Sequence, residues 1–324
     1  MKIALLGNPG AGKSLIFNQL TGLGVEVNRY PGTSVTLECG SICYKKEKTE
    51  IVDLPGIYSL DGSSEEETLV RTFLERGGAD VIVAVLDATR LERNLYLFVQ
   101  AAEFSPKMIM VINKIDDAER QGFLIDADKL SSSFGVPVIL TAASEGRNIE
   151  KILPVALNEA KPALVRIPYD LHVEAALKSL EKTMGNPVYK NLLALQGIGD
   201  DPVLLDAAGA IAQEIELRHQ MSVRQIIATN RHNFARGLTA AAVSKSERKK
   251  PYDLDSLLTR AFPGVPILCT VLFLLLLLVF MIGSWMEVII VESFTSSVLP
   301  PFTALALPPL WDRIGFSLLI ALQA

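Results

Sequence analysis

From residue 2 to about residue 160, short apolar runs alternate with amphipathic stretches. A parallel sheet covered by helices produces that rhythm. The candidate strands are residues 2–6, 50–53, 80–87, 108–113 and 137–141, and each ends in a polar or glycine-containing loop. In open α/β sheets the ligand-binding residues gather at the carboxyl ends of the strands, so those loops are where chemistry is expected. Residues 161–168 carry Pro162 and Pro168 and read as a linker. Residues 170–240 have helical periodicity, interrupted at Gly185-Asn186-Pro187 and between Gly197 and Pro202, which predicts a small helical domain.

The pattern then changes. Residues 244–250 are basic and polar, a solvated stretch, whereas residues 265–285 carry no charge and include a leucine run at 274–278. That length meets the roughly 20 residues needed to cross a bilayer core. Basic residues 245–250 and Arg260 precede it, and Glu287 and Glu292 follow it, an asymmetry that puts the N-terminal side in the cytoplasm. Residues 294–311 are also uncharged, but Pro300-Pro301 and Pro308-Pro309 interrupt them, so a re-entrant or interfacial segment fits as well as a span. The last apolar stretch, 314–322, is short and looks cut off.

The expected organisation is an α/β domain at 1–162, with a mostly parallel sheet and helices on both faces. A small all-α domain follows at 163–243 and a basic juxtamembrane linker at 244–262. The membrane region, 263–324, contains one C-terminal transmembrane helix.

Composition sharpens this outline. Of 324 residues, 31 are basic and 36 acidic, a net charge of −5 that gives nucleic acid no general attraction. The apolar excess lies mostly beyond residue 263. Cys39, Cys43 and Cys269 are too few for a disulfide scaffold and suit a reducing compartment. Residues 2–7 are too short an apolar run for a secretory signal, so the first domain is expected to stay in the cytoplasm.

The first loop carries the strongest chemistry. Gly7-Asn8-Pro9-Gly10-Ala11-Gly12-Lys13-Ser14 fits G-x-x-x-x-G-K-[ST], after a strand and before a helix, the context the motif requires. Its glycines let backbone N–H groups curl around phosphates, and the helix N-terminus adds partial positive charge. The cradle is assigned to Asn8, Pro9, Gly10, Ala11, Gly12, Lys13, Ser14 and Leu15. Lys13 is expected to bridge the β- and γ-phosphates and Ser14 to ligate Mg²⁺. Asp53-Leu54-Pro55-Gly56 ends another strand about 40 residues later. Asp53 would hold the Mg²⁺ shell and the Gly56 amide would meet the γ-phosphate.

The base is read from Asn113-Lys114-Ile115-Asp116. Asp116 can accept from guanine N1–H and the exocyclic amine, a donor pair adenine lacks, so an ATP-using reading is opposed. Lys114 would lay its stem along the base and Asn113 would tie the base loop to the phosphate loop. Thr141-Ala142-Ala143 would bring Ala142 to the site and the Ala143 amide to guanine O6. In isolation these tetrapeptides are also ordinary polar turns. Their order and spacing make the nucleotide reading the stronger one.

With these residues assembled, the chain resembles the small GTPases and, more narrowly, the ferrous iron transport protein B (FeoB) family. The narrower likeness rests on several phrases. Asn8-Pro9 lies in the phosphate loop and Tyr30-Pro31-Gly32-Thr33-Ser34-Val35 in a first switch. Asp53 to Leu60 forms the second switch, and Asp87-Ala88-Thr89-Arg90-Leu91-Glu92-Arg93-Asn94-Leu95-Tyr96-Leu97 follows. Residues 255–267 resemble that family's entry into its first membrane helix. The resemblance implies GTP and GDP as ligands and slow GTP hydrolysis. Gly32, Thr33 and Ser34 would line the nucleotide, and Ser34, which stands by register where the family carries a threonine, would join Ser14 and Asp53 around Mg²⁺, with the adjacent Thr33 as a substitute. It further implies Fe²⁺ as the transported ion, a bacterial inner-membrane location, membrane lipid around the helix, and room for a homo-oligomer and a small accessory protein. A helical domain at 170–240 would modulate nucleotide release.

There are departures. Family members often carry an asparagine where this loop has Gly10, which offers no side-chain oxygen to potassium, so potassium activation does not carry over cleanly. Ile57 occupies the position where many small GTPases place a water-orienting glutamine. Catalysis is therefore expected from Lys13, Ser34, Gly56 and Mg²⁺. Residues 263–324 supply too few helices for a whole permeation path. A membrane-tethered regulatory GTPase that moves no iron is the alternative reading. Glu65-Glu66-Glu67 reads as a solvated helix start, the cysteines show no metal-ligand pattern, and His172, His219 and His232 look scattered.

Overall fold

The computed structural model describes residues 1–22, 25–29, 36–44, 47–245 and 261–297, with single positions at 258 and 317. They fall into two compact units, residues 1–249 and 250–324.

The first unit is built on an eight-stranded sheet. In chain order its first half comprises β1 (Lys2–Gly7), α1 (Lys13–Thr21), β2 (Val25–Arg29), β3 (Thr36–Tyr44), β4 (Glu47–Asp53), α2 (Glu65–Glu75), β5 (Val81–Asp87) and α3 (Leu91–Glu103). There follow β6 (Lys107–Asn113), α4 (Ile115–Arg120), β7 (Phe123–Ile125), α5 (Ala127–Phe134), β8 (Val138–Leu140), α6 (Ile152–Asn158) and β9 (Lys161–Pro162). The spatial order is β2-β3-β4-β1-β5-β6-β8, with β9 beside β6. β4, β1, β5, β6 and β8 run parallel, while β2, β3 and β9 join antiparallel.

Side-chain alternation splits the core into two layers. Ala4, Leu6, Ile82, Ala84, Leu86, Met108 and Met110 face the layer that includes residues of α2, α3 and α5. Ile3, Leu5, Val81, Val83, Val85, Ile109 and Val111 face the layer that includes residues of α1 and α6. The chain leaves β4 on one side of β1 and returns as β5 on the other. That reversal is the switch point at which open α/β sheets bind ligands, and the phosphate loop sits there.

The helical region follows as α7 (Leu171–Met184), α8 (Val188–Leu195), α9 (Pro202–His219) and α10 (Val223–Ala242). Its breaks are the predicted ones: Gly185 caps α7 at a φ of 68° and Pro187 precedes α8. α10 opens with a capping box between Ser222 and Gln225. These helices share a core of their own that includes Val173, Leu177, Leu192, Ala208, Ile215 and Ile227. α10 serves both cores, because Ala235 and Ala242 are buried in the layer over the sheet.

Two expectations near the linkers are corrected. Residues 244 and 245 belong to β10 (Val243–Lys245), which pairs antiparallel with β7, so the start of the basic stretch is hydrogen-bonded and not simply solvated. Lys161 and Pro162, read as linker, pair with β6.

The second unit contains α11 (Ala261–Ser297), longer than the predicted 265–285. Residues 261–293 have mean hydropathy 3.1 over their most apolar window, none of it buried in the fold. A helix of that length and composition is able to cross a bilayer, and its leucines are exposed among the described residues.

Candidate functional site

The loop between β1 and α1 is shaped by Gly10 and Gly12, whose φ angles of 77° and 89° are left-handed. A Cβ on Gly12 would stand 2.1 Å from Asn113 Nδ2, so the residue must be glycine for two loops to meet. That meeting is a hydrogen bond from Asn113 Nδ2 to the Ala11 carbonyl at 2.9 Å. The predicted tie between base loop and phosphate loop is thus present in the geometry.

Asp53, at the end of β4, gathers the polar residues of α1's first turn. Lys13 Nζ pairs with Asp53 Oδ1, and Ser14 Oγ donates to Asp53 Oδ2 at 2.8 Å. Lys13 and Asp53 are both buried. Gly56 lies against the same loop, because a Cβ there would be 3.1 Å from Pro9 Cα. Ile57 is buried among apolar neighbours, with its N–H on the Gly7 carbonyl at 3.4 Å, so its side chain does not enter the site. Asn8 is 2% exposed, and neither side-chain amide atom has a partner among the described residues. Leu15, by contrast, is 44% exposed, facing out of α1. Gly32, Thr33 and Ser34 lie outside the described residues.

The loop after β6 places Lys114 in left-handed backbone, φ 63°, as it turns into α4. Lys114 Nζ pairs with Asp87 Oδ2 at 2.9 Å. Burial pushes the Asp87 carboxyl up, but Thr89 and Lys114 outweigh it and hold it below the ordinary value. Asp116 Oδ2 accepts from Arg120 at 2.8 Å and Ser144 Oγ at 3.3 Å, whereas the buried Oδ1 has no partner among the described residues. Ala142 and Ala143 close the site from the loop after β8. The Ala143 amide, expected to face the base, donates to Asn113 Oδ1 at 2.9 Å. Asn113 thus bridges two loops, with Nδ2 on the Ala11 carbonyl and Oδ1 on the Ala143 amide. Ala143 holds the neighbouring helix as well, its carbonyl accepting from Gln19 at 2.7 Å.

A second polar cluster gave no local signal in the sequence. Arg231 of α10 is 2% exposed and pairs with Asp61 Oδ2 at 2.5 Å and Glu103 Oε2 at 2.6 Å. The Tyr169 hydroxyl donates to Glu103, and Gln100 Nε2 donates to Asp61 Oδ2 at 2.6 Å. Arg224 donates to the Asp61 carbonyl, and Arg71 to the carbonyls of Leu60 and Gly62 at 2.9 and 3.0 Å. Burial alone would lower the Arg231 pKa, but Glu103 and Asp61 outweigh it and keep the guanidinium charged. Burial pushes the Glu103 carboxyl up against the pull of Arg231. Partners 170 and 128 positions apart cannot be paired from a single sequence. Elsewhere Ser64 caps α2 and starts its acidic first turn as predicted, Arg236 pairs with Glu92 at 3.2 Å, and Arg93 lies over Tyr58.

The family described as ferrous iron transport protein B matches residues 1–156. The Fe(2+) transporter FeoB of Campylobacter jejuni is 41% identical over 153 residues, which are 47% of this chain and 25% of that protein. The Fe(2+) transporter FeoB of Escherichia coli K12 is 31% identical over 305 residues, covering 89% of this chain and 39% of that protein. The chain therefore spans between a quarter and two fifths of the length of these curated relatives. Among solved structures, a GDP-bound mutant of S. thermophilus NFeoB has a TM-score of 0.68 at 31% identity, covering 75% of this chain and 100% of that one. The cytosolic domain of T. maritima FeoB in its GMPPNP form has a TM-score of 0.66 at 28% identity, covering 76% of this chain and 100% of that one.

Proposed function

Because the chain belongs to the ferrous iron transport protein B (FeoB) family, we propose that its first unit binds GTP and GDP and hydrolyses GTP slowly. The observation that carries this reading is the buried Oδ1 of Asp116, which has no partner among the described residues, on a loop that Asn113 ties to the phosphate loop. A buried carboxylate oxygen without a donor is costly. Guanine N1–H and its exocyclic amine are donors of the kind it lacks.

The residues around Asp53 fit Mg²⁺, since Ser14 Oγ and a carboxylate oxygen 2.8 Å apart are hard oxygen donors of the sort it takes. Bound with the nucleotide, Mg²⁺ would neutralise charge on the phosphates. Ser14 and Asp53 would hold it, with Ser34 the expected third ligand. Lys13 exchanges its contact with Asp53 for phosphate oxygens, and backbone N–H groups of residues 10–15 orient the phosphates. The Gly56 amide meets the γ-phosphate. With Ile57 turned into the core, no side chain there orients water, so turnover is slow. Gly10 offers potassium no side-chain oxygen at the position where family members often carry an asparagine.

The nucleotide state is proposed to act through the segment from Asp53 to Asp61. One end touches the phosphate loop at Pro9 and the other ends on Arg231 and Arg224 of α10. Reordering the segment around a γ-phosphate would thus bias the helical region and, through it, the membrane helix. The proposed setting is the bacterial inner membrane, with the first unit in the cytoplasm and lipid around α11. The ion served would be Fe²⁺, with a homo-oligomer and a small accessory protein as further partners. A fused Fe(2+) transport protein A and FeoB in Porphyromonas gingivalis, 28% identical over 321 residues, supports the accessory partner.

The test is guanine-nucleotide binding and turnover by the chain, with and without K⁺, beside Asp116→Asn. Guanine-selective binding weakened by the substitution supports the site, and equal competition by ATP defeats it. Iron-uptake rescue separates a transport role from the alternative, a membrane-tethered GTPase that only regulates.

A further inference from the structure

Read along the sequence, His172 and His219 looked unrelated. The fold brings them together at one end of the helical region. His172 Nδ1 and His219 Nε2 are 3.0 Å apart, and Asp170 Oδ1 lies 3.3 Å from the first and 3.4 Å from the second. Three donors held by a metal at about 2.1 Å stand roughly 3.0 Å apart at octahedral angles and roughly 3.4 Å at tetrahedral ones. The observed triangle spans that range, so one cation reaches all three atoms without rearrangement of the backbone.

The ring orientation agrees. The imidazole planes cross at 81°, which lets two in-plane lone pairs converge on a single point, as parallel stacked rings do not. Each donor also sits on a fixed element. Asp170 is the N-cap of α7, with Oδ1 accepting the His172 N–H at 2.9 Å, and its own N–H donates to Asn230 at 3.0 Å. His219 is the last residue of α9. The nearby Arg218 is occupied by Glu214 at 2.7 Å, so it does not serve as the carboxylate's counter-ion. The three side chains are between 28% and 43% exposed, open enough for a cation and its remaining water ligands to enter.

We infer that Asp170, His172 and His219 form a binding site for a divalent first-row transition cation, one that ties the start of α7 to the end of α9. Two imidazoles and one carboxylate with open positions suit Fe²⁺, Co²⁺, Ni²⁺ or Zn²⁺ and discriminate against Mg²⁺ and Ca²⁺, which take oxygen ligands. The site is separate from the nucleotide cluster and does not depend on the reading of that cluster. Among the described residues, it is the group of His, Cys, Asp and Glu with metal-holding geometry.

The test uses the metal-stripped full chain in detergent, with GDP and excess Mg²⁺ present, titrated with Co²⁺ and followed by visible absorption. The expected result is one equivalent of Co²⁺ in a nitrogen–oxygen environment, displaced by Zn²⁺ but not by Ca²⁺, with a rise in Tm. Asp170→Asn keeps the helix cap and is expected to weaken binding about tenfold or more. His172→Ala with His219→Ala is expected to abolish it, while Cys39→Ser, Cys43→Ser and Cys269→Ser together leave it intact. Unchanged GDP binding shows that each variant is folded. Absence of Co²⁺ binding, a thiolate spectrum lost with the cysteines, or binding indifferent to the histidine changes would each overturn the assignment.

Discussion

Replacing Arg231 by methionine removes the cation that Asp61 and Glu103 share while keeping most of its volume. Arg231 is 2% exposed, and its guanidinium contacts both carboxylates at 2.5 and 2.6 Å. Removing one partner from a buried ion pair costs about 3–5 kcal/mol, because the charge left behind has no compensation. The two losses here do not simply add. Asp61 retains Gln100 and Glu103 retains Tyr169, so the whole cluster is assigned the same range of about 3–5 kcal/mol. That is a large share of the roughly 5–15 kcal/mol that holds a domain together. The assay is urea unfolding of residues 1–249, followed by far-UV circular dichroism, for wild type, Arg231→Met, and the triple variant Arg231→Met, Asp61→Asn, Glu103→Gln. The triple variant buries no unpaired charge and is expected to regain most of the loss. A single-variant loss below about 1 kcal/mol, or a triple variant weaker than the single one, would refute the electrostatic argument.

Asp116→Asn removes a charged acceptor from the base site. Guanine-nucleotide affinity should fall by about 1.5–3 kcal/mol, read by GDP titration, with no matching loss of thermal stability. Gly12→Ala forces a φ of 89° on a residue with a Cβ that would collide with Asn113. Left-handed strain plus the lost bond to Ala11 should lower stability by about 2–3 kcal/mol, seen as a drop in the urea midpoint together with weaker GDP binding. Asp87 titrates below its ordinary 3.8 in the fold, so its contribution is present above that value and is lost as pH falls through the lower folded value. Asp87→Asn should therefore flatten the acid limb of stability against pH, and an unchanged limb would show that Thr89 and Lys114 do not hold the carboxylate as described.

Much of the fold was legible because it rests on local patterns. β1, β5, β6 and β8 are built on continuous apolar runs, as strands buried on both faces must be, and β4 is apolar only at Ile51-Val52 before Asp53; each was placed within a few residues of its observed bounds. The helical breaks at Gly185 and Pro187 announced themselves through backbone chemistry. β2 and β3 were missed for a physical reason. They form the antiparallel edge, and Thr36–Tyr44 mixes Glu38, Gly40 and Ser41 among its apolar residues. β7, β9 and β10 are two or three residues long and, unlike the equally short β8 inside the apolar run 136–140, β9 and β10 carry Lys161, Pro162, Ser244 and Lys245 in place of apolar residues, and β7 is only partly buried.

The polar sites divide by the same criterion. The phosphate loop and Asn113–Asp116 are contiguous, so their chemistry can be read from spacing, and the tie through Asn113 follows from that chemistry. Ala143 shows the limit, since which amide an asparagine takes is decided by packing between two loops. Arg231 and the pair His172 and His219 lie beyond that limit. A lone arginine in a helix reads as a solvated residue, because in most helices that is where arginine sits. Only after α10 packs its small residues Ala235 and Ala242 over the sheet does Arg231 lie inside, where burial obliges it to find carboxylates. His172 and His219 become neighbours through the shared core of α7 and α9, whose residues include Val173, Leu177, Ala208 and Ile215, none of them polar. In both places an apolar contact sets the distance and the polar chemistry follows from it. A substitution that shifts those apolar contacts, such as Ala235→Leu in the layer over the sheet, should disturb the Arg231 cluster without touching one of its polar atoms.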